Sequence, residues 1–68
     1  MRIAKAKLVY QLAHRGWHLK TLAEKSGVSQ VTIYAMSGGK SVAPATAGKI
    51  AAALGVPLEK ILERGRSL

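Results

Sequence analysis

Apolar residues recur along this chain at helical rather than alternating spacing, in five stretches set apart by glycine, serine and proline. In the first, from about Ile3 to Arg15, Leu8 and Leu12 lie one turn apart with Val9 and Ala13 beside them, and Gly16 ends the pattern. Trp17 is expected at the edge of the core, where the chain turns. The second stretch runs from Leu19 or Lys20 to about Ser26, with His18 at the capping position. The third runs from Gln30 to about Ser37 behind Ser29, whose hydroxyl can satisfy an otherwise orphaned backbone N–H. Pro44 opens the fourth, which carries Ile50, Ala51 and Leu54 inward and closes at Gly55. Gly48 inside it costs up to about 1 kcal/mol relative to alanine. Pro57 begins a short fifth helix with Leu58, Ile61 and Leu62 at helical spacing, Gly65 as its stop, and Arg66 to Leu68 frayed. No strand, internal repeat, linker or low-complexity tract is evident. The expected fold is all-α, one compact five-helix domain over residues 1–68.

Within that pattern, residues 19–38 carry a more specific spacing: Ala23, then Gly27 four positions on, then Ile33 six further. A small residue at Ala23 lets two helices cross almost in contact, Gly27 can take the positive φ of a tight turn, and Ile33 pins the second helix to the first. Leu22, Val28 and Met36 complete the apolar anchors. These are the requirements of a helix-turn-helix, and they predict a DNA-reading helix from Gln30 to Ser37.

Composition then removes alternatives. With 68 residues there is room for one domain, and a separate effector-sensing domain does not fit. Eleven Lys and Arg against three Glu give a formal charge of +8, which attracts nucleic acid or an anionic membrane surface. Arg2, Lys5 and Lys7 cluster at the start of the first helix, where they either follow a phosphate backbone or solvate an outer face. There is no cysteine, and two histidines are too few for a structural zinc site, so no metal or cofactor is expected. His14 and His18 read as surface residues. The small-residue loop from Ser37 to Ser41 could bring backbone N–H groups close to a phosphate, although it lacks the spacing of a P-loop. Three glutamates and two histidines at unrelated positions form no acid–base or nucleophile–base set, which argues against an enzyme. No apolar run approaches the roughly 18 to 20 residues of a spanning helix, and residues 1–17 lack a signal-peptide core, so a cytoplasmic location is expected.

The run Leu22-Ala23-Glu24-Lys25-Ser26-Gly27-Val28-Ser29, then Thr32-Ile33, Gly39-Lys40, Pro44 and Lys49-Ile50-Ala51-Ala52-Ala53-Leu54-Gly55-Val56 resembles the Cro/cI family. These are the lambda-repressor-like, or XRE, regulators of phages and bacteria, and the resemblance covers roughly residues 8–63. It implies a homodimer, weak without DNA, that places its third helix in the major groove of each half of a pseudo-palindromic operator. The half-sites would be about one helical turn, ~34 to 36 Å, apart. Gln30, Val31, Tyr34 and Ala35 match positions that meet base edges, and Thr32 one that can reach a phosphate or a base; with Thr32, Lys20, Ser29, Lys40 and Ser41 are the expected backbone contacts. The amide of Gln30 suits N6 and N7 of adenine, and Val31 suits a thymine methyl.

The sequence departs from the family pattern in three respects. Many members pair an Arg on the first helix with a Glu after the recognition helix, and the matching residues here are Leu12 and Ser37. Losing both together is consistent, since one alone would be an unpaired charge. Leu19 stands where a phosphate-touching Gln is common, and Ser26 where an apolar residue is usual, while the loop from Ser41 to Ala45 lacks basic residues. The reading is a Cro-like phage or prophage repressor. An antitoxin-type DNA-binding and protein-interaction module is the alternative, and a cationic membrane-surface peptide is opposed by the turn chemistry.

Overall fold

Each helix starts and stops close to where its own capping residues dictate. The computed structural model describes residues 1–63, with α1 at Lys5–Arg15, α2 at Leu19–Ser26, α3 at Gln30–Ser37 and α4 at Pro44–Leu54. Ser29 caps α3 as expected, its Oγ accepting the N–H of Thr32 at 3.2 Å, whereas His18 occupies the N-cap position of α2 without a side-chain bond. Leu8, Leu22, Ile33, Met36, Ile50 and Ile61 are the largest fully buried side chains and draw on every element. α2 packs on both α3 and α4. Trp17 is half-buried at the core edge, with the cations of Arg15 and Lys25 at 5.8 and 5.9 Å from its ring centroid.

The two ends of the chain correct the expected pattern. The fifth helix is a three-residue 3₁₀ turn, Leu58–Lys60, so the described residues hold four α-helices rather than five. Its continuation is diverted by the other terminus: Ala4 N–H donates to Ile61 O at 2.7 Å, and Glu63 N–H donates to Arg2 O at 2.9 Å. Ile3 and Leu62 thereby form an isolated antiparallel bridge, and α1 begins at Lys5 rather than Ile3. Backbone groups that a helix would have paired locally are paired across the chain instead. Ile61 is fully buried by this arrangement, while Leu58 and Leu62 are half-buried. The expected stop at Gly65 and the tail from Arg66 lie outside the described residues.

Arg15 ties the end of α1 to the end of α4. Its Nη1 donates to the backbone and side-chain oxygens of Gln11, each at 2.8 Å, and its Nη2 donates to Leu54 O. A cation at the carbonyl end of a helix is favourable, and here it serves the ends of two.

Gly48 has no such role. A Cβ built there would meet nothing within 4 Å, so the residue carries only its helix-interior penalty. Gly48→Ala is expected to raise stability by up to about 1 kcal/mol, seen as a higher melting temperature; a lower one would show a close approach that the fold does not contain.

Candidate nucleic-acid interface

The turn between α2 and α3 is held by three short-range hydrogen bonds. Ala23 is buried where the helices meet, and its carbonyl accepts the N–H of Gly27 at 3.0 Å. Gly27 takes φ +75°, and a Cβ there would touch nothing, so glycine is required for its backbone angle rather than for space. Ser26 reverses an apparent weakness of the sequence: its Oγ accepts the N–H of Val28 at 3.3 Å and lies 3.4 Å from Ala23 O. The unusual serine therefore fastens the turn. Leu22, Ile33 and Met36 are buried and Val28 is half-buried against them, so all six motif residues hold α3 against α2.

With its inner face committed, α3 presents a distinct outer one. Gln30 is exposed, Val31 is 79% exposed and Tyr34 is 49% exposed. Ala35 differs: it is half-buried, set back from the other three. Thr32 is half-buried too, and Ser29 Oγ lies 3.0 Å from its hydroxyl, so the two residues are engaged in closing the first turn. Lys20 is exposed on the first turn of α2.

After α3 the chain folds back on the helix it has left. The N–H of Gly38 donates to Tyr34 O and Ala35 O, that of Gly39 to Met36 O, and that of Lys40 to Ala35 O, all at 3.0 to 3.1 Å. Gly39 adopts φ +105° to allow it. These amides satisfy the carbonyl end of α3 and are not offered to a phosphate, which corrects the expectation from the glycines. What the loop offers outward is side chains: Lys40 and Ser41 are both exposed. Sequence reasoning left Arg2 unplaced, and the structure brings it to this loop, with Nη2 lying 3.8 Å from where a Cβ of Gly39 would stand.

Leu12 and Ser37 do share a site. Both line a groove of about 380 Å³ with Lys5, Trp17 and Leu19 among its other walls; Leu12 is buried and Ser37 half-buried, its Oγ donating to Tyr34 O at 3.0 Å. Leu19 packs against the core instead of pointing to a partner. Because the groove opens to solvent, Ser37→Glu is expected to cost under about 1 kcal/mol, and Leu12→Arg alone about 2 to 3 kcal/mol. The double variant should recover about 1 kcal/mol of the sum. Thermal melts decide, and strictly additive losses would show that the two side chains do not meet.

No helix among the described residues is long and apolar enough to cross a membrane. No curated protein matches the chain significantly. A solved structure of a hydroxyethylphosphonate dioxygenase mutant is similar in fold, with a TM-score of 0.83 over 98% of this chain at 24% identity. The chain spans only 15% of that enzyme's length, and at this identity the likeness is one of fold alone. A helix-turn-helix family model of the Cro/cI (XRE) type matches residues 8–61, which takes in the buried motif residues, the capped turn and the outward face of α3. The chain thus belongs to the Cro/cI-type (XRE) helix-turn-helix family.

Proposed function

We propose that the protein is a sequence-specific, Cro-like regulator that lays α3 in the major groove of a pseudo-palindromic operator, binds as a homodimer and represses by occupying promoter DNA. The observation that carries this reading is the outer face of α3, where Gln30, Val31 and Tyr34 stand exposed on a helix whose other face is wholly committed to the core. An apolar side chain as exposed as Val31 gains by being covered, and a thymine methyl covers it. Gln30 offers the paired donor and acceptor that adenine requires. Ala35, set back from them, contributes at most a close approach to a base, and Lys20, Ser29, Thr32, Lys40 and Ser41 hold the backbone. The site acts in the cytoplasm, where its DNA is, and needs no cofactor.

The dimer is held weakly until DNA arrives. Leu58 and Leu62 are half-buried and Ile61 fully so, which leaves little apolar surface for a stable interface among the described residues of that end. Two-fold DNA then supplies the symmetry that joins the protomers. A second reading, an antitoxin-type module with a protein partner, is favoured by Val9 and Tyr10, exposed by 50% and 68% on α1. Selection of bound duplexes from random DNA, followed by sedimentation on the selected site, tests the first reading. The expected result is an inverted repeat saturated by two protomers; no enriched sequence, or one protomer at saturation, would overturn it.

A further inference from the structure

The N-terminal segment is fixed along both edges. On one side Met1 N donates to Val42 O at 3.0 Å and Val42 N–H donates to Met1 O at 2.7 Å. On the other, Ala4 N–H and Arg2 O pair with Ile61 and Glu63. Arg2 is carried by this strap to the loop after α3, where its guanidinium reaches Gly39, the neighbour of Lys40. Its Nε also lies 3.3 Å from Glu63 Oε1, the one ion pair among the described residues, with both side chains more than half exposed.

We infer that Arg2 and Lys40 form a two-cation clamp on the DNA backbone, each neutralising one of two adjacent phosphates, and that Glu63 is an internal competitor holding Arg2 until a phosphate displaces it. This rests on the DNA-binding reading above. The amides of Gly38, Gly39 and Lys40 are spent on α3, so the loop holds a phosphate chiefly through side chains, and Lys40 alone is a mobile point charge. A guanidinium adds a planar fork that matches phosphate oxygens, and the strap fixes the backbone from which it reaches the loop. An exposed carboxylate holds it weakly, so a backbone phosphate can take its place. Glu63 then subtracts from binding to every duplex alike.

The inference is tested with the full chain by titrating wild type, Arg2→Ala, Glu63→Gln and the double variant against the selected operator and a scrambled duplex over a range of salt. Arg2→Ala should weaken both by about threefold to tenfold and lower the salt slope by about 0.9 per protomer. Glu63→Gln should tighten both by about threefold, and that gain should vanish in the Arg2→Ala background. Arg2→Lys should keep the slope while losing part of the affinity. An undiminished gain from Glu63→Gln without Arg2 would reduce Glu63 to bulk charge, and an unchanged slope in Arg2→Ala would remove Arg2 from the interface; either overturns the clamp while leaving the DNA reading intact. Wild type failing to bind any duplex would overturn both.

Discussion

Ile33→Ala is expected to leave the free domain largely unfolded at room temperature. Ile33 is fully buried, packed among Leu22, Met36 and the other core residues at the crossing of α2 and α3. Removing its outer carbons loses transfer free energy and leaves a hole that two short helices, pinned by their turn, cannot close; such truncations cost about 2 to 5 kcal/mol. A single core of this length supplies net stability of only about 3 to 5 kcal/mol, so the loss and the margin are of the same size. Ile33→Val should cost about 0.5 to 1.5 kcal/mol and remain folded. Circular dichroism melts compare the variants. A cooperative transition for Ile33→Ala within a few degrees of wild type would show that the crossing is not the keystone of the core. Saturating operator should restore part of the helicity, since a ligand that binds only the folded state stabilises it by mass action.

The second large effect separates reading from holding. Gln30→Ala should weaken the best operator by about 1 to 3 kcal/mol and relax preference at one base position per half-site, with binding to scrambled DNA nearly intact. Lys40→Ala should weaken all sequences similarly and lower the salt slope by about one per protomer. The difference follows from placement: Gln30 is exposed on the first turn of α3, whereas Lys40 follows the helix on a loop bent back over its end. Titrations against operator and scrambled duplexes at several salt concentrations resolve the two. Equal losses on both duplexes for Gln30→Ala would remove it from the base-reading face.

The features legible from the sequence were those decided within a few positions. Gly27 and its positive φ, the Ser29 cap, the small residue at Ala23 and the ends of α2, α3 and α4 each depend on neighbours close along the chain. What escaped depends on distant pairings. Leu58, Ile61 and Leu62 carry helical spacing, yet the backbone beyond Lys60 pairs with the opposite terminus, and no local pattern announces that exchange. The glycines after α3 suggested free amides, but Gly39 uses its left-handed angle to turn those amides back onto the helix. Arg15 is similar: its spacing from Gln11 is visible, while its bond to Leu54 spans 39 positions. Ser26 looked like a defect because only the hydroxyl's aim at the N–H of Val28 reveals its use. Within the candidate site, Gln30, Val31 and Tyr34 come from the family resemblance, and the structure exposes all three on the side of α3 away from buried Ile33 and Met36. Ala35 matches a family position of the same kind, and its half-buried setting shows how narrow the outer face is.

The most direct measurement of α3 as the base-reading element is a substitution scan of the selected operator with 7-deazapurines, which remove the N7 acceptor from the major groove and leave the minor groove untouched. Each modified duplex is titrated against wild type and Gln30→Ala. An α3 seated in the major groove predicts at least one purine per half-site whose N7 is worth about 1 kcal/mol or more to wild type and little to Gln30→Ala. Tolerance of every 7-deaza position, with sensitivity only to 3-deazapurines that alter the minor groove, would contradict it.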